Sequence, residues 1–252
     1  MLIIERQQKL LAMLRERGAA QLEELARELG VSTSTVRRDL ETLEEQGAVR
    51  RTHGGAVYQS PSALGRAANE AFTARMQENV EAKKAIGRYV ATLVEPYMTV
   101  LLDGGSTVTY AAEQIDARPL QIVTNSLSIA NVFADDEQVE LLLIGGNLYP
   151  RTGVMLGPIA TACLTDLHAD LLLFSLAGLY EDAAYNTNLA MAQVEQVMMR
   201  QVAHSVMLMD SSKFGRKSLV RVCGVEEIGR IVTDPGVDGA WRQRLGDRLV
   251  VA

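Results

Sequence analysis

Residues 30–40 read Gly-Val-Ser-Thr-Ser-Thr-Val-Arg-Arg-Asp-Leu, and this stretch decides the fold of the N-terminal part of the chain. Gly30 can adopt the positive φ angle that ends a helix. Ser32 is a favourable N-cap for the helix that follows. On that helix Val36 and Leu40 recur at the helical spacing and begin an apolar face. The stretch therefore predicts two helices joined by a short turn.

The residues on either side complete a small helical domain with a wing. Apolar spacing predicts helices at about 5–17 and 22–29, and a third that runs from Ser32 to about Gln46. Residues 48–58 then hold two short strand-like runs around a Gly-Gly pair. We expect residues 1–58 to fold as a winged helix-turn-helix domain.

The third predicted helix carries polar and basic side chains over its first two turns. A helix of this kind, held by a short turn to a supporting helix, fits the major groove of DNA. Arginine can contact guanine through two hydrogen bonds, and Ser, Thr and wing arginines can contact bases or phosphates. The predicted DNA-binding residues are Ser32, Thr33, Ser34, Thr35, Arg37, Arg38, Arg50, Arg51 and His53. The alternative is a protein-docking module whose charged face is simply solvated.

The distribution of charge is compatible with DNA binding although the whole chain has a net charge of −6. Residues 1–58 hold nine basic and nine acidic side chains, so the remainder of the chain carries the entire negative charge. Clustered positive charge on one face attracts a phosphate backbone whatever the total charge is. We expect the acidic remainder to keep nonspecific DNA binding weak.

Several protein classes are not supported by the sequence. Cys163 and Cys223 have no CxxC partner, and the three histidines have no metal-binding spacing, so we expect no disulfide framework and no metal. The longest nearly uncharged apolar stretch, 171–180, is far shorter than the roughly 18 residues of a membrane-spanning helix. The first residues do not fit a signal peptide, and no dinucleotide or Walker motif is present. We therefore expect a cytoplasmic protein without a cofactor.

The amino-acid composition of the sequence changes after residue 58. Residues 59–68 are small and polar with Pro and Gly, and they predict a linker. From residue 69 to 252, short apolar runs alternate with helical patterns, which favours an α/β domain with a Rossmann-like open sheet. The predicted architecture is thus a small winged helix-turn-helix domain, a linker and an α/β domain.

Polar turns follow several of the predicted strands in this second domain. Ligands on open α/β sheets collect at the carboxyl ends of the strands, so these turns can converge on one crevice. Hydroxyl and backbone donors, with Arg151 and Lys213 as cations, suit a small phosphorylated molecule. The predicted effector-binding residues are Asp103, Gly104, Gly105, Ser106, Thr107, Thr124, Asn125, Ser126, Gly145, Gly146, Arg151, Gly178 and Lys213. Taken singly, the turn at 103–106 is more often an ordinary strand-to-helix turn. Lys213 is also compatible with a surface lysine, and Arg151 with a salt bridge at the rim.

Both halves resemble one known family. Residues 31–40, with Leu43, Gly47 and 51–56, closely resemble the N-terminal domain of DeoR-family bacterial transcription regulators. The strand-end turns, together with Gly157-Pro158 and 210–215, resemble the motifs of the DeoR C-terminal sensor domain. The resemblance covers nearly the whole chain. It implies a sensor fold similar to ribose-5-phosphate isomerase and glucosamine-6-phosphate deaminase, and a sugar phosphate as the usual effector.

The chain departs from the family pattern at two places. Residues 180–187 replace the usual acidic loop that leads to Gly-Leu-Thr, and Glu195 stands where the family resemblance leads us to expect a lysine. Both departures fall in the sensor domain. They imply a reshaped effector site, with a different or less anionic effector.

We expect a ligand-controlled transcriptional regulator, namely a repressor of a carbohydrate-metabolism operon, with operator DNA and a sugar phosphate as its partners. A single winged helix-turn-helix offers little interface, so a homodimer or homotetramer is expected. The alternative is a sugar-phosphate isomerase or deaminase with an added DNA-binding domain. Such an enzyme needs a positioned base, for which only Asp103 and Asp210 are candidates. We therefore assign no catalytic residue.

Overall fold

The computed structural model of the chain describes residues 3–45, 48–52, 54–58 and 72–252. The chain divides into two compact units, with the boundary between Ala68 and Asn69. The predicted linker, 59–68, and the predicted DNA contact His53 lie outside the described residues. No helix in the described ranges is long and apolar enough to cross a membrane.

The N-terminal unit contains the three predicted helices and the predicted wing. Its elements are α1 (Ile3–Arg17), β1 (Ala19–Gln21), α2 (Leu22–Leu29), α3 (Thr33–Glu45), β2 (Val49–Thr52) and β3 (Gly55–Tyr58). The antiparallel β2–β3 pair is the wing. The sequence analysis missed β1, which pairs with β3 and makes a three-stranded sheet.

The turn between α2 and α3 forms as the sequence predicts. Gly30 has a φ of 67° and ends α2 in the left-handed conformation. The Ser32 hydroxyl accepts a hydrogen bond from the Thr35 backbone N–H at 3.2 Å and caps α3. Val36 and Leu40 then lie in the core of the unit, which fixes the rotation of α3 about its axis.

A buried ion pair ties α1 to α3. Asp39 is only 3% exposed, and its carboxylate accepts hydrogen bonds from Arg6 Nε at 2.5 Å and from Arg6 Nη2 at 3.1 Å. A bidentate arginine–carboxylate pair is directional, so it restricts how the two helices can turn relative to each other. This contact supports the orientation of the neighbouring exposed residue, Arg38.

The C-terminal unit is built around one parallel sheet of seven strands. The strands are ordered β15-β14-β12-β9-β4-β5-β6, and every neighbouring pair is parallel. Their bounds are β4 (Thr99–Leu102), β5 (Leu120–Thr124), β6 (Val139–Leu143), β9 (Ala169–Phe174), β12 (Val202–Leu208), β14 (Arg230–Thr233) and β15 (Leu249–Val251). The expected open Rossmann-like sheet is confirmed.

Helices and small sheets surround this sheet. The helices are α4 (Val80–Ala91), α5 (Ser106–Ala112), α6 (Leu127–Phe133), α7 (Pro158–Thr165), α8 (Leu189–Arg200) and α9 (Gly239–Leu245), and residues 72–77 are also helical. The small sheets are the hairpin of β7 (Asn147–Tyr149) and β8 (Val154–Leu156), and a three-stranded sheet of β10 (Gly178–Tyr180), β11 (Ala183–Asn186) and β13 (Val220–Gly224).

The sheet has an apolar core on each face, because successive strand residues point to opposite sides. Along β4, Val100 and Leu102 pack with α4, α5 and α6, whereas Leu101 packs into the core that includes α7 and α8. One expectation about this second core is wrong. The apolar helical pattern around Cys163 predicts that this residue is buried, but it is exposed on α7 because Leu164 takes the inward position.

Candidate functional site

The N-terminal part of α3 forms an exposed polar face. Ser32, Thr33, Ser34, Arg37 and Arg38 are exposed, and Thr35 is half-buried. The Ser32 hydroxyl lies 2.8 Å from each of the Ser34 and Thr35 hydroxyls. The structure thus brings six of the predicted DNA contacts together on one helix.

Two guanidinium groups on this face are free to bind. In the part of the chain that the structure describes, neither Arg37 nor Arg38 forms an ion pair. A side chain without a competing carboxylate needs no exchange of partners before it contacts a phosphate or a base. Arg50, on β2, is likewise exposed and has no ion pair among the described residues.

Arg51 is held differently from the other predicted contacts. Its Nη1 lies 2.6 Å from Glu41 and its Nε lies 2.7 Å from Glu44, both on α3. The Arg51 backbone N–H also donates to Glu44 at 2.8 Å, and these hydrogen bonds lower the pKa of the Glu44 carboxyl group. Arg51 therefore fastens the wing to α3. It would have to exchange these carboxylates for a phosphate in order to contact DNA.

A second candidate site is a cavity of about 430 Å³ in the C-terminal unit. It lies where the strand order reverses, because β4 has β5 on one side and β9 on the other. The residues after β4, 104–107, and those after β9, 175–177, both line it. This is the position at which open α/β sheets bind ligands.

The cavity wall contains about half of the predicted effector-binding residues. Those that line it are Gly104, Gly105, Ser106, Thr107, Arg151 and Lys213. Those that the structure does not bring to the wall are Asp103, Thr124, Asn125, Ser126, Gly145, Gly146 and Gly178. The strand-end pattern locates the crevice, but it does not separate wall residues from the layer behind them.

The predicted residues behind the wall hold the loops in place. The Thr124 hydroxyl donates to the Leu102 carbonyl at 2.7 Å, Ser126 caps α6, and Asn125 donates to the Met155 carbonyl at 3.2 Å. Gly178 is required by a close approach, since a Cβ there would lie 2.3 Å from the Arg216 carbonyl oxygen.

Two glycines are placed away from the wall. Gly145 is exposed, and Gly146 packs with a φ of 150° against the Leu156 carbonyl. These positions shape the turn before β7.

The wall also contains residues that the sequence analysis missed. They are Arg75, Tyr149, Thr152, Ser175, Leu176, Ala177, Asn186, Thr187, Met191 and Arg216. Ala177 follows the predicted strand 171–176 and could have been found by the same argument as Gly104, whereas Ser175 and Leu176 were predicted within the strand, which ends at Phe174. Arg75 could not, because it precedes the first helix of the α/β pattern and follows no strand.

The charges on the wall are all of one sign. Arg75, Arg151, Lys213 and Arg216 line the cavity, and no described lining residue is a carboxylate. Burial and the positive charge of Arg151 lower the pKa of Arg75. The hydroxyls of Ser106, Thr107, Thr152, Ser175 and Thr187 add polar groups to the wall. The arrangement suits an anionic, hydroxyl-bearing small molecule.

Two buried carboxyl groups lie directly behind this wall. Asp103 is 3% exposed and Glu195 is 1% exposed, and Asp103 Oδ2 and Glu195 Oε2 have no hydrogen-bond partner. Asn186, which lines the cavity, donates to the other oxygen of Glu195. Burial raises the pKa of Asp103 to about 7, and burial together with the charge of Asp103 raises the pKa of Glu195. The departure at Glu195 thus adds a second acid group beneath the cavity.

Nothing in the described ranges groups three or more potential metal ligands. The donor sets of both candidate sites are hydroxyls, amides and cations, which suit anions and nucleic acid.

Solved structures with a related arrangement were found by structural comparison. Ribose 5-phosphate isomerase A from Methanocaldococcus jannaschii is 15% identical, with a TM-score of 0.39, over 54% of this chain and 55% of that chain. The full-length sorbitol operon regulator SorC from Klebsiella pneumoniae is 14% identical, with a TM-score of 0.37, over 83% of this chain and 90% of that chain. Because both scores are low, the family assignment rests on sequence.

Sequence relatives align along nearly the whole chain. The HTH-type transcriptional repressor CsqR of Escherichia coli (strain K12) is 33% identical over 97% of this chain and 93% of its own length. The L-fucose operon activator of the same organism is 30% identical over 91% of this chain and 94% of its own length. The HTH-type transcriptional repressor GlcR of Bacillus subtilis (strain 168) is 31% identical over 91% and 88%.

The family comparison divides the chain in the same two parts as its sequence does. Residues 6–62 match the DeoR-like helix-turn-helix domain, and residues 78–235 match the DeoR C terminal sensor domain. The relatives are named as regulators, so the enzyme alternative is not favoured. With the exposed polar face of α3 and the cavity at the strand reversal, these matches show that the chain belongs to the DeoR family of DNA-binding transcriptional regulators.

Proposed function

We propose that the chain is a cytoplasmic repressor of a carbohydrate-metabolism operon that releases its operator when a sugar phosphate binds in the cavity. The observation that carries the effector class is the cavity wall, which has four cations and no carboxylate among its described residues. The name of the L-fucose operon activator supports a carbohydrate operon. The names of the repressors CsqR and GlcR support repression as the sign of regulation.

The operator contacts follow from the exposed face of α3 and from the wing. Arg37 and Arg38 have unpaired guanidinium groups among the described residues and suit base edges and phosphates. Arg50, on the wing, is suited to contact the phosphate backbone of the DNA. The proposed DNA-binding set is Ser32, Thr33, Ser34, Thr35, Arg37, Arg38, Arg50, Arg51 and His53.

The effector contacts follow from the wall. We assign the phosphate to the cations, with Arg151 and Lys213 joined by Arg75 and Arg216, and the sugar hydroxyls to the Ser, Thr and Asn186 side chains. A volume of about 430 Å³ is at the lower end of small-molecule sites, which are roughly 300–1,000 Å³. The predicted residues that lie behind the wall support the loops that carry these contacts.

The active form is proposed to be a homodimer or homotetramer. One winged helix-turn-helix contacts a single short half-site, and specific operator binding needs more interface than that. Closed symmetry would place identical recognition helices on repeated half-sites.

The first experiment is fluorescence anisotropy with duplexes taken from upstream of the protein's own operon, at about 50 mM and about 200 mM salt. Ribose 5-phosphate, glucose 6-phosphate, fructose 1-phosphate and glucosamine 6-phosphate are added, with the free sugars as matched controls. We expect specific binding that one phosphate relieves and its free sugar does not. Specific binding that no compound alters would contradict the effector assignment, and absence of specific binding would contradict the operator assignment.

The enzyme alternative is tested in the same samples. Each sugar phosphate is recovered after incubation with the protein and analysed for isomer or ammonia formation. We expect no turnover, because neither Asp103 nor Asp210 lies on the cavity wall.

A further inference from the structure

Arg75 occupies an unusual place in the cavity wall. It lies on the helical residues 72–77, which are the first described residues after the stretch that leads from the N-terminal unit. Its guanidinium group lies 5.6 Å from the centre of the Phe72 ring, and its Nη2 donates to the Arg151 carbonyl at 3.4 Å. The first described residues of the C-terminal unit therefore contribute a cationic side chain to the ligand cavity.

Two hydrogen bonds hold the backbone of this helical stretch on the C-terminal unit. Lys83, on α4, is 3% exposed and donates its Nζ proton to the Arg75 carbonyl. The Tyr110 hydroxyl, on α5, donates to the Met76 carbonyl at 3.0 Å. The hydrogen bond from the Arg75 side chain to the Arg151 carbonyl adds to these two, so Arg75 helps to position residues 72–77.

The Arg75 side chain has no counter-charge among the described residues that line the cavity. None of the described carboxylates forms an ion pair with it. Among charged side chains, Arg151 has the largest effect on the pKa of Arg75 and lowers it by repulsion, while the attraction of Glu78 is weaker. An anion placed between the two guanidinium groups would turn this repulsion into two charge-assisted hydrogen-bonding contacts. Ligand binding should therefore hold residues 72–77 more firmly.

We propose that Arg75 is the coupling residue of this regulator. An anionic ligand fixes residues 72–77 through Arg75. The ordering of these residues, which follow the predicted linker, lowers operator affinity. This inference rests on the proposed function and adds the residue through which the two sites communicate. The physical basis is a coupling free energy between the two sites. It arises because residues 72–77 are more ordered in the ligand-bound form than in the operator-bound form. Arg151 lies between β7 and β8, and it accepts the Arg75 hydrogen bond through its backbone carbonyl, so a change of its side chain should alter ligand affinity alone.

The test compares Arg75→Gln with the matched control Arg151→Gln in the full chain. Operator Kd is measured by anisotropy without ligand and with a saturating amount of whichever sugar phosphate releases the wild type. Arg151→Gln should need more ligand yet reach the wild-type change in operator Kd, which is typically about 5–150-fold in coupled systems. Arg75→Gln should keep operator Kd within about twofold of its own ligand-free value at saturation. A full wild-type change in Arg75→Gln would overturn the proposal.

A second measurement does not depend on a variant or on DNA. Hydrogen exchange of the wild-type chain is followed with and without inorganic phosphate at a concentration that saturates binding by calorimetry. Amides in residues 72–77 should exchange at least about fivefold more slowly with phosphate, because opening of the segment becomes rarer. Unchanged exchange there would overturn the coupling role even if operator release by a sugar phosphate were confirmed. Protection without any operator release would instead contradict the proposed function while leaving the docking of Arg75 in place.

Discussion

At the scale of single residues, the buried acid pair has the clearest consequence for stability. Burial raises the pKa values of Asp103 and Glu195 because it disfavours their charged forms, and the charge of Asp103 further raises the pKa of Glu195. A raised folded-state pKa contributes stability below the unfolded pKa, near 4, and that contribution is lost as pH rises through the folded value. The C-terminal unit should therefore become less stable between about pH 4 and about pH 7. Its stability should fall further above about pH 7, as Glu195 ionises.

Glu195→Gln should remove much of this loss. Glutamine cannot ionise, and its amide oxygen can still accept the hydrogen bond from Asn186. We expect the variant to be more stable than wild type by roughly 1–3 kcal/mol at pH 8 and equal to it at pH 4. Urea unfolding followed by fluorescence of Trp241, the sole tryptophan, reports on the C-terminal unit. Glu137→Gln changes an exposed carboxyl group and should leave the unfolding curves at both pH values unchanged. Equal stabilisation by Glu195→Gln at the two pH values would refute the raised pKa of Glu195.

A substitution at Arg37 tests whether the exposed polar face of α3 contacts the operator. It is exposed on α3 and has no ion pair among the described residues, so its truncation should leave the fold intact. Arg37→Ala should weaken specific operator binding by roughly 1–3 kcal/mol, provided that the side chain contacts a base. Arg15→Ala removes an equal charge from the exposed end of α1 and should cost less and act on all sequences alike. If both variants lost the same affinity on every duplex, α3 would not be the reading element.

At the scale of elements, the wing depends on one close approach. Gly55 on β3 pairs with Gln21 on β1, and a Cβ at Gly55 would lie 2.1 Å from the Ala20 carbonyl oxygen. Gly55→Ala must therefore push the two strands apart, at a cost of roughly 1–3 kcal/mol. We expect faster hydrogen exchange in β1 and β3 and weaker operator binding, with unchanged Trp241 fluorescence. Gly54→Ala is the matched control, since nothing lies within 4 Å of its Cβ position. Identical behaviour of the two alanine variants would rule out this role.

The elements also show what a sequence pattern can and cannot predict. Periodicity predicts α2, α3 and the central parallel strands, because each buries an apolar face of regular spacing. It misses β1, whose three residues, Ala19–Gln21, have no alternating pattern and are fixed by pairing with β3. Likewise it finds Gly104 at a strand end but misses Arg75, because a long side chain reaches the cavity from outside the strand-end loops. Contacts made across the fold leave no local trace in the sequence.

At the scale of the whole molecule, the charge of the chain and the small recognition area lead us to expect more than one copy on the operator. The N-terminal 58 residues are electrically balanced and the rest of the chain carries the net charge of −6, so general attraction to DNA is weak. Specificity then has to come from base contacts on a short stretch of α3, and joining two such stretches multiplies their affinities through a high effective concentration.

An operator with two half-sites in register should therefore bind about 10²–10⁴-fold more tightly than the same duplex with one half-site destroyed. Inserting about five base pairs between the half-sites turns one of them to the opposite side of the DNA and should remove most of that gain, whereas inserting about ten should restore much of it. The measurement is anisotropy on the four duplexes, with sedimentation velocity to count the chains bound to each. Equal affinity for one and two half-sites, with one chain per duplex, would show that a single copy reads the operator and that its specificity comes from contacts beyond α3 and the wing.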